Sequence, residues 1–446
     1  MKKLFIKAKR VRPAVLLAVL GLCMTGFIAC AGEGNHEGPG GDGGPGDDGK
    51  PSVTTTAASV TLKLPAGFSA TVIDSLGRGA RHITVSPNGV IFVKMDRLKK
   101  DSAGIYRITD AGNGKVQTTS FCNFKGTGIV VRNGYLYATT DEEVYRYKLD
   151  ANDNVIDPEH PEKIVTGLIA RNEHEPKAIM LDYSGNLFVN IGAFSNSCQV
   201  NDRATGSMGI KPCPVLDSAA GIWEFKADKP NQTYADGIRY ATGLRNVVGM
   251  DWNRSTNSLF VMQHGRDQLH EIFPDMYTLE QGNELPAECM YELHNGTNGG
   301  WPYIYYDGLQ HKIVLAPEYG GNGKMPAPEK YQEPVAAYPA HMAPDGLLFY
   351  TGKQFPEKYR NGAFIAFHGS WNRQPEEKGY FVVFQPFKDG KPSGDWEVFA
   401  DNFAGTSRII SPNSARYRPC GLAQGPDGSI YVTDDSKGLV WKISYK

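Results

Sequence analysis

Gly185-Asn-Leu-Phe-Val189 reads as a turn followed by a strand, and phrases of the same build recur five more times along the chain. The others are Gly89-Val-Ile-Phe-Val93, Gly134-Tyr-Leu-Tyr-Ala138, Asn257-Ser-Leu-Phe-Val261, Gly362-Ala-Phe-Ile-Ala366 and Gly428-Ser-Ile-Tyr-Val432. A second phrase with an aromatic or branched core follows each. In chain order these are Ile105-Tyr-Arg-Ile108, Val144-Tyr-Arg-Tyr147, Ile222-Trp-Glu-Phe225, Leu269-His-Glu-Ile272, Phe381-Val-Val-Phe384 and Val440-Trp-Lys-Ile443. Self-similarity at a period of several tens of residues, with strand alternation and Gly/Asn/Asp turns, marks a propeller. The spacing predicts an all-β fold: a six-bladed β-propeller of four-stranded antiparallel blades over residues 56–446, with its chemistry at the axial mouth. Val60–Leu64 and Phe68–Val72 are expected to supply the outer strand of the last blade beside Val440–Tyr445.

The first 30 residues read as a secretory signal of lipoprotein type. A basic start (Lys2 to Arg12) leads into an apolar run from Ala14 to Ala29, too short to span a bilayer, and then Cys30. Phe27-Ile-Ala-Cys30 has the build of a lipobox, so Cys30 is the expected lipidation site and a lipid anchor the expected membrane contact. Residues 31–55, rich in Gly, Asp, Pro and Thr, read as a flexible tether. A net charge of −1 argues against nucleic-acid binding. In an oxidising compartment Cys198 and Cys213, flanking one polar loop, are the expected disulfide. Closing that loop contributes on the order of 3 kcal/mol in the chain-entropy picture. Cys122, Cys289 and Cys420 are then left, an odd number, so at least one thiol stays free.

Several innermost strands begin on polar residues: Arg81-His82, Thr127, His174, Arg245-Asn246, His341 and Arg418. Inner strands converge on the axis, so these side chains are expected to ring one mouth as a site for an anionic ligand. Residues 262–341 form a long excursion placed between the fourth and fifth blades. Loops of that length in a compact domain are usually functional, and this one is expected to wall the pocket. Asp150-Ala-Asn-Asp-Asn154 lacks the glycine and terminal glutamate of a calcium loop and reads as an ordinary turn.

The ordered strings Leu64-Pro-Ala-Gly-Phe68, His174 with Gly185–Gly192, Gly243-Leu-Arg-Asn246, Gly300-Trp-Pro302, His368-Gly-Ser-Trp-Asn-Arg373 and Arg416-Tyr-Arg418 carry a family likeness. The chain resembles the glucose/sorbosone dehydrogenases that use pyrroloquinoline quinone (PQQ), and its HGSWNR string and Cys198 loop resemble the sorbosone branch. The resemblance implies PQQ and Ca²⁺ as cofactors and oxidation of an aldose or sugar aldehyde to a lactone or acid. It makes His174 the general base, a role suited to imidazole with its unperturbed pKa of about 6.5. Arg245 and Asn246 would face the quinone oxygens, Arg245 stabilising developing negative charge. Arg416 and Arg418 would receive the cofactor's carboxylates, and Arg373 falls near the position of a further cationic PQQ contact. Arg416 and Arg418 alternate as on a strand, so both are expected to point the same way. Trp301 would form an aromatic pocket wall, with Tyr303, Tyr305 and Tyr306 as its extension. The carbonyls of Gly265 and Arg266 would hold Ca²⁺. With no Cys-x-x-Cys-His in the chain, electrons would leave to a separate quinone or cytochrome. Glu173, Ala193 and the Gly126 region depart from the soluble glucose branch, so glucose specificity does not carry over. Alternatives are a non-redox propeller lipoprotein that binds a glycan or anion, and a calcium-dependent lactonase.

Overall fold

The computed structural model describes the backbone of residues 52–54 and all atoms of residues 60–98 and 103–446; Cys30 and the signal lie outside these. Six sheets follow one another along the chain, antiparallel except for a short parallel edge pair in blades two and three. Their innermost strands are Ala80–Val85, Ile129–Arg132, Ile179–Leu181, Val247–Asn253, Pro344–Phe349 and Pro419–Gln424. The second strands, which carry the recurring phrase, are Ile91–Met95, Tyr135–Thr139, Asn186–Ile191, Ser258–Gln263, Gly362–Phe367 and Ile430–Asp434. Ile91–Met95, Gly362–Phe367 and Ile430–Asp434 are buried at every residue, because both faces of each pack against something. That burial explains why the phrase is a nearly continuous apolar run rather than an alternating one. The cores lie between successive blades. Phe260, Met262 and Met290 of blade four meet Phe349, Ile365 and Val383 of blade five, and Tyr431 and Val440 of blade six meet Ile83 and Val93 of blade one. Among the described residues no helix is long and apolar enough to cross a membrane.

The ring closes through the N-terminal segment. Phe68–Ser75 pairs antiparallel with Leu439–Tyr445, Phe68 opposite Tyr445, as the outer strand of blade six. Val60–Leu64 does not join this strand: Lys63 bridges Asp401 beside blade five, and Leu62 is buried against it. Within the stretch read as tether, Ser52–Thr54 pairs with Lys115–Phe121 at the edge of blade one.

Blade four departs from the expected layout. Leu269–Ile272 is a turn of helix, and the blade's third strand is Glu288–Leu293. Leu269 and Ile272, three apart, share one helical face and are both buried, whereas strand pairing would put them on opposite faces. The long excursion therefore sits inside blade four, as one insertion before Glu288 and another between Leu293 and Ala336.

Four inner strands carry a bulge near their start, at Ala80/Ile83, Val247/Met250, Pro344/Gly346 and Pro419/Leu422. A bulge re-aims side chains, here Arg81, His82 and Asp345, toward the axis. At this level the inner strands nearly touch. A Cβ on Gly346 would come within 2.3 Å of the Cys420 carbonyl, and one on Gly421 within 2.6 Å of the Arg81 carbonyl. This collar separates the polar upper mouth from a lower cavity of about 620 Å³ lined by the inner strands.

Ring closure depends on Phe68, whose ring meets Phe355, Phe399 and Tyr445 within 4.9 Å and Tyr359 at 5.4 Å, edge to face. Phe68→Ala is expected to lower unfolding stability by about 3 kcal/mol in denaturant titration. A loss below about 1 kcal/mol would show that the closing strand is not anchored through this ring.

Candidate functional site

The mouth is built from two positions in each blade. One is the start of the inner strand. The other is the residue just after the second strand: Asp96, Thr140, Gly192, His264, His368 and Asp435 in blade order. On the floor, Asp345 receives Arg81 Nη1 at 3.1 Å and faces His264 Nε2 at 3.3 Å and His368 Nδ1 at 3.8 Å. Asp435 receives Arg81 Nη1 at 3.0 Å and His368 Nε2 at 2.9 Å. Burial alone would raise both carboxyls. The Arg81 charge at Asp345, and His368 with Arg81 at Asp435, outweigh it and hold both well below the usual carboxylate range. His264 is pushed the other way: burial would lower it, but its bond to Asp345 raises it.

His174 precedes the inner strand of blade three in a left-handed backbone conformation, φ 52°. Its Nδ1 lies 2.5 Å from the Ala193 carbonyl. A carbonyl only accepts, so Nδ1 carries the hydrogen and Nε2 keeps its lone pair. Gly192 is required beneath it, because a Cβ there would fall 2.5 Å from the His174 Cβ. Burial, and next the Arg245 charge, lower the imidazole to about 3. The ring is therefore neutral at any working pH, well away from its unperturbed value.

Arg245 is buried and held on every side. Nε donates to the Asn196 carbonyl (3.1 Å), Nη1 to the Gly265 carbonyl (2.8 Å), and Nη2 to Asn196 Oδ1 (3.1 Å) and Asp267 Oδ2 (2.8 Å). Of its five N–H groups, one on Nη1 is left. Asp267 also accepts from Arg203 Nη2 (3.2 Å) and Asn372 Nδ2 (3.1 Å). Burial would raise this carboxyl too, but Arg245 outweighs it and keeps it ionised. Asn246 is buried next to Arg245, its Oδ1 accepting from Asn190 Nδ2 at 3.4 Å.

Other expected residues are placed differently. Trp301 is buried with its Nε1 on the Asn196 carbonyl (3.0 Å), so it supports the Arg245 nest from below and does not wall an open pocket. Tyr303 and Tyr305 are likewise tied inward, to the Cys213 amide and to Tyr277. Arg373 is buried and bound to Glu284 and to the carbonyls of Asn283 and Ala340. It braces the first blade-four insertion and has no free fork for a ligand. Arg416 and Arg418 do not share a strand. The Arg416 amide bonds the Ala404 carbonyl and its side chain is exposed at the rim. Arg418 turns inward over Tyr380, with its Nε on the His368 carbonyl (3.1 Å) and Nη2 on the Gly369 carbonyl (2.9 Å). Among the described residues no carboxylate lies within ion-pair distance of Arg418, although its charge is among those that lower Asp435. Cys198 and Cys213 are disulfide-bonded, and Asp150 caps its own turn through Asn152 and Asn154. His341 is buried and bonded to the Gly282 carbonyl (2.9 Å).

Sequence reasoning missed Asn196, Arg203, Asp267, Asp345 and Asp435, and it missed Lys94 and Lys177. Burial lowers both of those lysines to about 8, with backbone carbonyls as partners. The signal available was positional: the residue after each second strand is titratable in blades one, four, five and six (Asp96, His264, His368 and Asp435).

The charge at the upper mouth is of the sign that receives an anion. Beside Pro176, a cavity of about 270 Å³ is lined by Arg78, Arg81, Arg97 and Arg418 against Asp96 and Asp435, an excess of positive charge. The Gly265 carbonyl has given one lone pair to Arg245 and keeps a second, and Asp267 and Glu288 supply negative charge nearby. Carbonyl oxygens suit a hard cation such as Ca²⁺, but among the described residues no group of three or more His, Cys, Asp or Glu side chains is placed to hold a metal.

His174 is expected to stay neutral from pH 8 down to pH 5, while His264 titrates above 6.5. Histidine-selective NMR of the wild type and His174→Gln checks both. A His174 resonance that titrates near 6.5 would show the ring open to solvent and unaffected by Arg245.

The pattern described as TrAA12-like matches residues 62–446. An uncharacterized protein of Borreliella burgdorferi is 26% identical over 407 residues, 89% of this chain and 94% of that one. A pyrroloquinoline quinone-dependent sugar dehydrogenase of Hypocrea jecorina is 23% identical over 342 residues, 71% of this chain and 73% of that one. The calcium structure of the Trichoderma reesei family AA12 carbohydrate-active enzyme superposes with a TM-score of 0.69 at 17% identity, covering 88% of this chain and 99% of that one. The propeller and the pattern running from its closing strand to its last blade thus agree, and the chain belongs to the TrAA12-like family.

Proposed function

We propose that this protein is a PQQ-dependent oxidoreductase that oxidises an aldose or sugar aldehyde, sorbosone-like in class, to a lactone or acid. The observation that carries the reading is the pairing at one mouth of a base and an anion receptor. His174 offers a bare Nε2, and Arg418 turns into a cavity where arginines outnumber Asp96 and Asp435, with no carboxylate within ion-pair distance of it among the described residues. The relatives' dependence on PQQ, a tricarboxylate quinone, supports the same reading.

When bound, PQQ would supply an electrophilic quinone for the redox chemistry, and Ca²⁺, which the Gly265 and Arg266 carbonyls would hold, would supply Lewis acidity. The chain's own residues do the rest. His174 Nε2 takes the proton of the sugar hydroxyl, and the Ala193 carbonyl keeps the ring in the tautomer that allows it. Arg245 cannot swing, because Asn196, Gly265 and Asp267 hold it. Its positive charge is therefore preorganised rather than recruited. Arg418 orients the anionic edge of the cofactor and Asn246 packs beside the base. A separate quinone or cytochrome takes the electrons, and Cys30 tethers the secreted chain to a membrane; both belong to this proposal. The lactonase alternative needs a free carboxylate set around an axial metal. Here Asp267, Asp345 and Asp435 are each paired with an arginine.

Chelator-stripped protein given PQQ and Ca²⁺ is expected to reduce a dye with an aldose or sugar aldehyde, and to need PQQ for it. His174→Ala should lower kcat by about 100-fold or more, with PQQ affinity by calorimetry kept within about threefold. Arg418→Ala should instead weaken PQQ binding about tenfold or more. Full dehydrogenase activity in His174→Ala would remove the base from this mechanism. Absence of PQQ binding in the wild type would favour the non-redox binding protein.

A further inference from the structure

The loop His368-Gly-Ser-Trp-Asn-Arg373 is fastened residue by residue, with one exception. His368 Nε2 lies 2.9 Å from Asp435, and the Gly369 carbonyl accepts from Arg418 at 2.9 Å. The Ser370 hydroxyl donates to Glu377 and its carbonyl accepts from the Tyr380 hydroxyl at 2.6 Å. Asn372 Nδ2 reaches Asp267 at 3.1 Å, and Arg373 is bound to Glu284. Trp371 alone has no such partner. Its side chain is 54% exposed, and no ring or cation stacks on it among the described residues.

A solvated tryptophan on so rigid a loop has an unused flat face at fixed position. Buried Ser370 and the anchored Asn372 flank it, and Asn372 holds the same carboxylate that holds Arg245. Trp371 thus stands one residue from the network that sets the charge around His174. Pyranose rings present a face of C–H groups, and an indole covers such a face with large apolar area and little loss of side-chain freedom.

We propose that Trp371 is the residue that selects a pyranose at the mouth, its indole lying on the apolar face of the sugar while His174 meets the reacting hydroxyl. The proposal rests on the sugar dehydrogenase reading above and adds the contact that recognises the ring. It assigns to Trp371 the aromatic wall that the buried Trp301 does not provide. A stacking contact made equally before and during the reaction changes KM and leaves kcat nearly alone.

The test uses the full chain loaded with PQQ and Ca²⁺, with D-glucose, D-galactose and D-xylose as probes. Trp371→Ala is expected to raise the sugar KM about tenfold or more, with kcat falling less than about twofold and the KM of the dye acceptor unchanged. Trp371→Phe, which keeps a flat ring, should stay within about threefold of wild type. A sugar KM unchanged in Trp371→Ala overturns the proposal. So does a rise confined to the acceptor KM, which would make the indole a docking point for the electron carrier. If the wild type oxidises none of the three sugars, the dehydrogenase reading fails separately. Saturation-transfer NMR of the same sugars on the apoprotein then decides: signal lost in Trp371→Ala supports the stacking role, and equal or absent signal overturns it.

Discussion

The carboxylate of Asp267 is the joint on which the upper mouth depends. It receives Arg245, Arg203 and Asn372, while its own amide and carbonyl bond the side chain of Asn196. One residue thereby ties the disulfide-closed loop of blade three, the first insertion of blade four and the HGSWNR loop of blade five. A buried ionised carboxyl is stable only with charged or hydrogen-bonded partners, and removing one partner of such a pair typically costs about 3–5 kcal/mol. The cluster is therefore all or nothing. With Asp267 in place, Arg245 is aimed, the Asn196 carbonyl receives both Arg245 and Trp301, and His174 sits under a fixed positive charge.

Paired charges also decide what the mouth can bind. Read singly, Arg81, Arg245 and Arg373 look like an anion receptor. In the folded chain each meets a carboxylate: Asp345 and Asp435, Asp267, and Glu284. Their charge is consumed internally and serves geometry. Arg418 lacks such a partner and is held by carbonyl oxygens, which orient a guanidinium without neutralising it. An anion arriving there meets a guanidinium that no direct ion pair neutralises, with Asp435 acting on it only at longer range and Tyr380 covering one side.

Much of the scaffold was legible because its signals are local. Six strand phrases, the strand that closes the ring from Phe68, and two cysteines flanking one loop are all visible within short windows. The errors came where a longer-range fact governs. Leu269-His-Glu-Ile272 has the composition of a strand phrase, and only the need to bury both Leu269 and Ile272 on one face makes it helical. Trp301 is aromatic in the expected motif, yet the Asn196 carbonyl, 105 positions earlier, turns it inward. Arg373 meets Glu284 across 89 positions and Arg81 meets Asp345 across a far larger stretch, and no spacing rule encodes such partners. The bulges that aim Arg81 and Asp345 leave only a glycine nearby as their trace. The position after each second strand was readable in principle, since a repeat fold puts equivalent residues at equivalent places.

The depressed basicity of His174 looks at first like a poor fit to a proton acceptor, since an imidazole near 3 takes a proton only weakly. Its two largest causes act differently, however. Burial is a constant of the site, fixed by Gly192 below and the Ala193 carbonyl at the edge. The Arg245 contribution is electrostatic and falls as negative charge builds beside that guanidinium, which Asp267 by itself does not fully cancel. A base arranged this way is unprotonated before reaction and gains proton affinity while its neighbourhood becomes more negative, which is when the hydroxyl proton must leave. Holding Arg245 rigid from three sides makes that gain arrive without side-chain reorganisation, the condition under which electrostatic stabilisation is most effective.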